Sequence, residues 1–255
     1  MDDITTVADM IMKSRQLVVF TGAGMSTESG ISDFRSPGGI WSRFDPSEFT
    51  FQKFLSGEAA REKYWQFSSA TWPEMVAAEP NAGHRAIFGL HRMDKLDCVI
   101  TQNIDGLHQK SGIPEDRVIE LHGTAWWVNC LECGSRYPRE EVHKWVVAGE
   151  KVPKCSACGG IMKPATISFG QAMPEKEAGE AERRSAACDL FLAVGSSLVI
   201  YPAARMPLIA RDSGARLVII NLEPTPHDGY AQVVINRKIG DALEGIMAKL
   251  KCGAG

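Results

Sequence analysis

The chain has 255 residues and a mass of 27.9 kDa, enough for one large domain or two small ones. Apolar residues make up 44% and charged residues 23%, which excludes a disordered or fibrous chain. The net charge of −3 removes the electrostatic reason to expect general nucleic-acid binding. No apolar run approaches the roughly 18 residues that cross a bilayer, and the acidic start Met-Asp-Asp-Ile is not typical of a secretory signal.

Cysteine usage predicts a metal site instead of a disulfide framework. The chain has seven cysteines, an odd number, and four of them form two Cys-x-x-Cys pairs. Small secreted proteins use even sets of cysteines, whereas paired Cys-x-x-Cys motifs are typical of zinc sites. We therefore expect a cytoplasmic protein that holds one metal ion and makes no contact with a membrane.

Apolar runs of strand length alternate with amphipathic stretches along the chain. Helical spacing of apolar residues predicts helices over residues 4–14, 81–93, 174–187, 203–212 and 241–251. Runs of buried-type residues predict strands over residues 17–20, 97–101, 118–121, 190–194, 217–220 and 232–235. The alternation indicates an α/β fold with a mostly parallel sheet covered on both faces, in which ligands bind at the carboxyl ends of the strands.

Two segments interrupt this alternation. Residues 45–78 are aromatic-rich and predict a helical insert, with Asp45 as its cap and Pro46 at its first position. Residues 126–164 contain the two cysteine pairs, which are separated by 21 residues. Four thiolates in such pairs, Cys130, Cys133, Cys155 and Cys158, suit a closed tetrahedral zinc that leaves no position for substrate, so the predicted metal is structural. Two redox dithiols or disulfides are the alternative.

Polar residues follow several of the predicted strands. Gly22-Ala23-Gly24 comes after the first strand, where a phosphate-binding turn would lie, but the dinucleotide fingerprint requires glycine at position 27, which is Thr27. Later strands lead into clusters that combine amide, carboxylate, imidazole and hydroxyl groups, namely Gln102, Asn103, Asp105, His122, Ser196 and Ser197. Because the carboxyl ends of parallel strands share one edge of a sheet, these residues predict one polar crevice.

These motifs together resemble the sirtuins, NAD-dependent protein deacylases, and in particular the short bacterial and archaeal type. The resemblance runs from residue 17 to about residue 250. It is carried, in the family's order, by the stretch at residues 22–35, Gln102-Asn103-Ile104-Asp105, Leu121-His122-Gly123, the cysteine pairs, Phe169-Gly170, Gly195-Ser196-Ser197 and Asn221.

The resemblance implies a fold of two domains. Residues 1–35, 80–125 and 165–255 would form a Rossmann-like NAD-binding domain. The smaller domain would combine a helical module with the cofactor loop at residues 36–79 and a zinc-binding module at residues 126–164. NAD and an acylated lysine would enter the cleft between the domains, and we expect a monomer.

The resemblance also assigns roles to residues. His122 would be the general base and Asn103 would act with it in catalysis. The NAD contacts it implies are Gly22, Ala23, Gly24, Ser26, Asp33, Phe34, Arg35, Gln102, Asn103, Ile104, Asp105, His122, Gly195, Ser196, Ser197, Asn221 and Ile239. The substrate polypeptide would add as an extended strand beside Ile167, Ser168, Phe169 and Gly170.

The implied chemistry uses no Ser or Cys nucleophile. The acyl oxygen of the modified lysine would attack the anomeric carbon of NAD, and nicotinamide would leave. The base would then take a proton from a ribose hydroxyl, which attacks the joined carbon, so that the products are free lysine, nicotinamide and O-acetyl-ADP-ribose. An imidazole suits this step because it titrates near neutrality.

The chain departs from the family pattern at positions that bear on substrate choice. Ser32 stands where the family usually has proline, and Gln171 stands where it usually has an acidic residue. Sirtuins that prefer succinyl or malonyl groups clamp the carboxylate with a Tyr-x-x-Arg pair, and Ser68 and Thr71 occupy those positions. Neither can provide a charge-assisted bond, so we expect uncharged acyl groups, acetyl first, to be removed.

Three other functions are left open by the sequence. A protein ADP-ribosyltransferase would use the same site, and a nicotinamide-dependent dehydrogenase would share the cofactor but lacks a glycine at Thr27. A zinc-ribbon module that binds nucleic acid is the third, and the balance of charge argues against it.

Overall fold

The computed structural model describes residues 2–34 and 38–252. The strands are β1 Leu17–Thr21, β2 Leu96–Thr101, β3 Val118–Glu120, β4 Gly123–Cys130, β5 Arg136–Pro138, β6 Met162–Thr166, β7 Leu190–Val194, β8 Arg216–Ile220 and β9 Val233–Ile235. The α-helices are α1 Asp3–Lys13, α2 Phe51–Leu55, α3 Glu58–Ala77, α4 Ala82–Arg92, α5 Leu107–Lys110, α6 Arg139–Val147, α7 Glu175–Ala187, α8 Met206–Asp212 and α9 Ile239–Cys252.

Six strands form one parallel sheet in the order β3-β2-β1-β7-β8-β9. Alternate residues of β1 point to opposite faces, and all five are buried, as in a sheet covered on both sides. One face packs against α1, α4 and α9 through residues such as Ile11, Ile87 and Leu243. The other packs against α7 and α8 through Ala181 and Met206. The predicted α/β class and Rossmann-like sheet are confirmed.

A second, smaller sheet carries the cysteines. Its three strands are antiparallel in the order β5-β4-β6. Trp65 of α3 is fully buried against this sheet and packs with Val128 of β4 and Val142 of α6. Burial of a large side chain contributes about 1.5–3 kcal/mol, so this contact holds the helical segment against the cysteine-bearing sheet.

The aromatic insert has its own small core. Phe49, Phe54 and Tyr64 are buried together, and Phe54 lies edge-on to Tyr64 with ring centroids 4.9 Å apart. Asp45 caps the start of this segment as predicted, and its side chain accepts a hydrogen bond from the Ser47 N–H at 2.9 Å. The capped turn is a 3-10 helix over Pro46–Phe49, and the first α-helix of the insert follows at α2.

The segment after the glycine loop is not a regular α-helix. A phosphate-binding turn is favoured when it leads into a helix N-terminus, whose main-chain N–H groups attract negative charge. The structure has a 3-10 helix, Ala23–Ser29, which ends at Gly30 with a φ of 85°. Its N-terminus presents fewer aligned N–H groups than that of an α-helix, since each 3-10 turn is tighter and the segment is short. The predicted helix at 203–212 likewise begins as a 3-10 turn, Ala203–Arg205, before α8.

Within residues 2–34 and 38–252, every helix is too short or too polar to span a membrane.

Candidate active site

The polar loops that follow the strands meet at one edge of the parallel sheet. Gly22 follows β1, Gln102 follows β2, Gly195 follows β7 and Asn221 follows β8, and these four strands run in the same direction. His122 lies in the two-residue link between β3 and β4, where the chain leaves the parallel sheet for the smaller one. The predicted crevice is therefore built from the carboxyl ends of the strands.

The glycine loop packs directly on the loop after β7. The Gly24 N–H donates to the Gly195 carbonyl at 2.9 Å. A Cβ at Gly24 would lie 2.9 Å from that same carbonyl oxygen, and a Cβ at Gly22 would lie 2.8 Å from the Cβ of Ser196. Since real Cβ atoms do not approach backbone so closely, both positions require glycine, and the main chain at this point is bare enough for a ligand to approach.

Gln102 connects three strands at the site. Its main-chain N–H donates to the Thr21 carbonyl at 2.9 Å, and its side-chain Nε2 donates to Ser196 Oγ at 2.7 Å. Ser196 is buried, whereas its neighbour Ser197 is exposed at the rim. Of the three serines implied as cofactor contacts, Ser26, Ser196 and Ser197, only Ser197 is exposed to solvent.

Asn103 bridges the loops after β1 and β2. Its Nδ2 donates to the Gly22 carbonyl at 3.0 Å and to Ser26 Oγ at 3.1 Å, and its main-chain N–H donates to Thr101 Oγ1 at 3.0 Å. The side chain is buried. Both described Nδ2 contacts go to the protein, so the Asn103 amide orders the glycine loop in this structure.

Ser26, in the 3-10 helix after the glycine loop, and Asp105, in the loop after β2, form a buried hydrogen-bonded pair. The Ser26 hydroxyl donates to Asp105 Oδ2 at 2.7 Å, and the Leu107 N–H donates to Asp105 Oδ1 at 2.9 Å. Ser26 is 1% exposed and Asp105 is 4% exposed. Burial raises the pKa of the Asp105 carboxyl, and the two hydrogen bonds oppose that rise.

Ile104 lies between these two polar residues in the chain and is half-buried. Its carbonyl accepts a hydrogen bond from the Ala125 N–H of β4 at 2.9 Å. Trp126 of the same strand donates from its indole nitrogen to the Asp105 carbonyl at 2.8 Å. The loop after β2 is thereby attached to β4, the strand that ends at Cys130, the first of the four predicted metal ligands.

His122 has a defined tautomer. Its Nδ1 lies 3.0 Å from the main-chain carbonyl oxygen of Gln102. A carbonyl oxygen only accepts, so Nδ1 carries the proton and Nε2 keeps its lone pair. Burial lowers the pKa of His122, and the bond to Gln102 opposes that effect. The imidazole is therefore neutral at pH 7, with one basic nitrogen available.

The turn after His122 is tightly constrained. Gly123 has a φ of 68°, and a Cβ there would run into the carbonyl oxygen of Ala165. The His122 carbonyl accepts a hydrogen bond from the Ile167 N–H at 2.8 Å. The predicted substrate segment is thus attached to the residue that carries the imidazole.

The main chain of the predicted substrate segment is partly occupied by the protein itself. The Ser168 N–H donates to Gln171 Oε1 at 3.2 Å. The Phe169 carbonyl accepts from the Phe51 N–H at 2.9 Å, and the Gly170 carbonyl accepts from Gln52 Nε2 at 3.0 Å. An added strand would have to use the remaining backbone groups or displace the two glutamine side chains.

Three aromatic rings, including the two predicted site residues Phe34 and Phe169, form one partly exposed cluster. Phe34 and Phe169 are 37% and 41% exposed, and Trp41 lies between them with ring-centroid distances of 5.4 and 6.1 Å. The carbonyl of Asp33 accepts from the Ile40 N–H at 2.8 Å. Arg35 lies outside the described residues. Trp41 was not predicted as part of the site, since it lies between the stretch at residues 22–35 and the aromatic insert at residues 45–78 and belongs to neither.

The last two predicted cofactor residues lie under the loop after β7. Asn221 Nδ2 donates to the Glu223 carbonyl at 2.6 Å. Ile239 is buried at the start of α9, and a Cβ on Gly195 would lie 2.7 Å from its Cδ1. The Ile239 side chain therefore packs against the loop, which leaves only its main chain for a ligand.

The four predicted metal ligands come together. The sulfur atoms of Cys130, Cys133, Cys155 and Cys158 all lie within 4.8 Å of one another. Two of the separations are 3.6 Å. Zn–S bonds of about 2.3 Å in a tetrahedron place sulfurs about 3.8 Å apart, whereas a disulfide needs about 2.05 Å. The cluster therefore fits a structural zinc and does not fit a pair of disulfides.

Hydrogen-bond donors surround these sulfurs. The Gly160 N–H lies 3.4 Å from Cys158 Sγ, and the Cys133 N–H lies 3.5 Å from Cys130 Sγ. The Tyr137 hydroxyl lies 3.2 Å from Cys155 Sγ. Donors to sulfur favour the thiolate form that zinc requires.

The sequence is similar to one family model and to curated proteins that carry related names. The Sir2 family model matches residues 22–202. "NAD-dependent protein deacetylase 1" of Bradyrhizobium diazoefficiens is 48% identical over 240 residues, which cover 94% of this chain and 93% of the relative. "NAD-dependent protein deacylase 2" of Archaeoglobus fulgidus is 42% identical over 252 residues, covering 98% and 97%.

Solved structures show the same relationship. The structure "Sir2-p53 peptide-NAD+" has a TM-score of 0.88 and 35% identity, and each chain covers 100% of the other. "Sir2 bound to acetylated peptide" has a TM-score of 0.89 and 34% identity with the same coverage.

Proposed function

The chain belongs to the Sir2 family, and we propose that it is an NAD-dependent protein-lysine deacetylase. The observation that carries this proposal is the state of His122, whose Nδ1–H is bound to a main-chain carbonyl and whose Nε2 is left as a base at the edge of the sheet. The relatives at 40–48% identity that are named for this activity support it. The zinc and NAD requirements follow from the cysteine cluster and from the relatives' dependence on NAD.

We propose that NAD lies along the carboxyl edge of the sheet. The bare main chain at Gly22, Ala23 and Gly24 would face the pyrophosphate, and Ser197 and Asn221 would contact the riboses. Gln102 and Asn103 would recognise the nicotinamide carboxamide, because an amide side chain pairs with an amide through one donor and one acceptor. Asn103 would exchange a present contact for this one, since its Nδ2 donates to Gly22 and Ser26.

Ser26 and Asp105 would act differently from the other cofactor residues. Their hydroxyl and carboxylate are bonded to each other and are almost fully buried. We propose that this pair supports the part of the site that binds the nicotinamide ribose. Either side chain would contact the ribose only if the cofactor displaced the hydrogen bonds that the pair makes now.

The reaction requires a base for one proton only. The acyl oxygen of the modified lysine displaces nicotinamide from the anomeric carbon of NAD. His122 Nε2 then takes the proton of a ribose hydroxyl, which attacks the joined carbon. Water completes the transfer, so that lysine, nicotinamide and O-acetyl-ADP-ribose are formed. Phe34 would shield the sugar from water, and Phe169 would border the acyl-lysine channel.

The preference for uncharged acyl groups is the finer part of the proposal. At the two clamp positions, the Thr71 hydroxyl donates to the Phe67 carbonyl of its own helix, and Ser68 Oγ accepts from Arg139 at 3.1 Å. Arg139 thus brings a charge close to Ser68 that the sequence did not reveal. Burial lowers its pKa to about 10, so the guanidinium is charged at pH 7.

Arg139 is already engaged by the protein. It is 1% exposed and lies over the rings of Trp65 and Trp72 at 5.3 and 5.0 Å. We propose that it holds α3 against the smaller sheet and does not meet the acyl chain.

Acetyl-lysine peptide should be turned over at least ten-fold faster than succinyl-lysine peptide. Comparable rates would contradict this, and a loss of the succinyl rate in Arg139→Gln would show that the guanidinium binds the carboxylate.

The activity is tested by mass spectrometry of the products from NAD and an acetyl-lysine peptide. We expect free lysine, nicotinamide and O-acetyl-ADP-ribose in equal amounts. ADP-ribose attached to the peptide or protein would indicate an ADP-ribosyltransferase, and NADH would indicate a dehydrogenase.

His122→Ala should lower turnover by about 10²- to 10⁴-fold while the fold and the zinc content are retained. Near-normal nicotinamide release from that variant on addition of peptide would show that His122 is not the base.

A further inference from the structure

Two histidines that the proposed reaction does not use lie side by side in the core of the larger domain. His84 in α4 and His108 in α5 are 0% and 1% exposed, and their ring centroids are 5.0 Å apart. Burial lowers the pKa of His84 to about 4 and the pKa of His108 well below its ordinary value. Both rings are therefore neutral at pH 7, and each has one N–H donor and one acceptor nitrogen.

The tautomer of His84 follows from the cap of its helix. The main-chain N–H of Asn81 donates to Nδ1 of His84 at 3.4 Å. Nδ1 therefore keeps its lone pair, and the single proton of the neutral ring is on Nε2.

The tautomer of His108 follows from the threonine beside it. His108 Nε2 lies 2.9 Å from Thr21 Oγ1, and the Thr21 hydroxyl donates its only proton to Thr101 Oγ1 at 2.8 Å. Toward His108 the Thr21 oxygen can only accept, so His108 is protonated on Nε2. Its Nδ1 is consequently an acceptor.

Each ring is left with one buried nitrogen that has no hydrogen-bond partner among the described residues. These atoms are Nε2 of His84 and Nδ1 of His108. By the tautomers above, the first is a donor and the second is an acceptor, and they belong to neighbouring rings. Leaving a buried polar group unpaired is unfavourable because burial removes water as the alternative partner, so pairing the two nitrogens relieves two such costs.

We propose that His84 Nε2–H donates to His108 Nδ1 after a small rotation of the rings, and that both histidines are positioning residues for the NAD site. The bond completes a buried hydrogen-bond chain, defined here as His84, His108, Thr21 and Thr101. This inference rests on the proposed function only where it assigns NAD to the adjoining loops.

The buried hydrogen-bond chain ends at the loops of the active site. Thr21 is the last residue of β1 and precedes Gly22, and Thr101 is the last residue of β2 and precedes Gln102. Thr101 Oγ1 also accepts from the main-chain N–H of Asn103 at 3.0 Å. A shift of either threonine would move the main chain that faces the cofactor.

The His84 end of the buried hydrogen-bond chain is also connected to the glycine loop, through Asn81. Asn81, which caps α4 and donates to His84, also donates from Nδ2 to the Met25 carbonyl at 2.8 Å and to Ser29 Oγ at 3.0 Å. The 3-10 helix after the glycine loop is therefore held at its middle and its end by the cap of α4. The glycine loop is clamped from two sides by one continuous set of hydrogen bonds.

The proposed bond can be observed directly by NMR. In protein labelled with ¹⁵N-histidine at pH 7.5, we expect both rings as neutral Nε2–H tautomers. We also expect a scalar coupling across the hydrogen bond between His84 Nε2 and His108 Nδ1. Absence of the coupling, or a proton on Nδ1 of His84, would overturn the proposal. This measurement on the unsubstituted protein does not depend on activity.

The positioning role is tested by a pair of substitutions. His108→Gln keeps a donor and an acceptor, whereas His108→Leu keeps neither. We expect His108→Leu to raise the KM and Kd for NAD about ten-fold or more, with the KM for peptide within about two-fold. His108→Gln should stay within about three-fold of the starting protein. Equal effects of the two variants, or an unchanged affinity for NAD in His108→Leu, would contradict the role.

Two further variants complete the test. His91→Leu, on the same helix as His84 but outside the buried chain, is the control and should bind NAD unchanged. If His108→Leu does not fold, His84→Leu should show the same selective loss of NAD affinity, and a normal Kd in that variant would overturn the role. If the starting protein shows the NMR coupling and binds NAD but does not deacetylate, the proposed function fails and the positioning role stands.

Discussion

At the residue scale, the feature that orients His122 is a neutral group. Its Nδ1–H is held by the neutral main-chain carbonyl of Gln102 instead of a carboxylate. A carboxylate would stabilise the imidazolium and raise the pKa, whereas a carbonyl does so only weakly. Burial is therefore the larger effect, and the pKa of His122 is lowered.

This lowered pKa predicts the pH dependence of the reaction. The proposed base, His122, would work as neutral imidazole, and a lowered pKa means that the neutral form persists below the ordinary histidine value of about 6.5. We expect kcat for nicotinamide release to fall toward low pH with a midpoint below about pH 6.5. The measurement is a pH profile with saturating NAD and acetyl-peptide. A midpoint above 6.5 would contradict the prediction.

At the scale of elements, the site depends on how closely the loop after β1 packs on the loop after β7. The hydrogen bond from the Gly24 N–H to the Gly195 carbonyl fixes their separation. Gly195 itself has a φ of 63° and donates from its N–H to the Ile220 carbonyl of β8. The main chain at the carboxyl ends of three parallel strands, β1, β7 and β8, thus fixes how these two loops pack.

We expect Gly24→Ala to damage both NAD binding and stability. The new Cβ would lie 2.9 Å from the Gly195 carbonyl oxygen, which is backbone and cannot rotate away. Overpacking of this kind costs about 1–3 kcal/mol, and the displaced loop should weaken NAD binding at least ten-fold. Isothermal titration and thermal unfolding measure the two effects. Gly179→Ala, in α7 with open space around it, is the matched control and should raise stability by about 1 kcal/mol.

The smaller sheet depends on its metal site. Cys130 and Cys155 are buried with Trp65 and Val128, so loss of zinc would disturb the core that joins the sheet to α3. Cys130→Ser, or treatment with a strong chelator, should remove zinc and lower the unfolding temperature, since a structural zinc contributes on the order of 10 kcal/mol to a small module. Metal analysis and calorimetry test this. The control is Cys252→Ser, at an exposed position, which should retain the metal. An unchanged unfolding temperature after complete removal of zinc would contradict the structural role.

At the scale of the whole molecule, the larger domain buries several neutral imidazoles. The pKa values of His84, His108 and His122 are all lowered by burial. In the unfolded chain these groups take up protons near pH 6.5, whereas in the folded protein they stay neutral at lower pH. The unfolded state therefore binds more protons than the folded state in this range, and stability falls as the pH falls.

We expect the free energy of unfolding to decrease from about pH 6.5 to pH 4. His84, with a pKa of about 4, would by itself account for about 3 kcal/mol of that loss. Urea unfolding at a series of pH values measures the slope. His84→Gln should make the slope shallower. Equal stability at pH 4.5 and 6.5 would show that these histidines are not buried in neutral form.

Much of this protein was determined by local sequence. Strand and helix periods, the four cysteines and the polar residues after the strands specify the sheet, the zinc cluster and the edge on which the site lies, because each is a pattern within a few residues of the chain. Thr27 in place of glycine likewise weakened the match of the first loop to the dinucleotide fingerprint of dehydrogenases.

Only the tertiary structure decided how those residues are used. It buries Ser26 against Asp105, ties Gly170 to Gln52, and brings Arg139 to Ser68. These partners are between 71 and 118 residues apart, and no local period relates them. The hydrogen-bonding state of a buried polar group depends on which distant groups the fold places beside it, since burial removes water as the alternative partner.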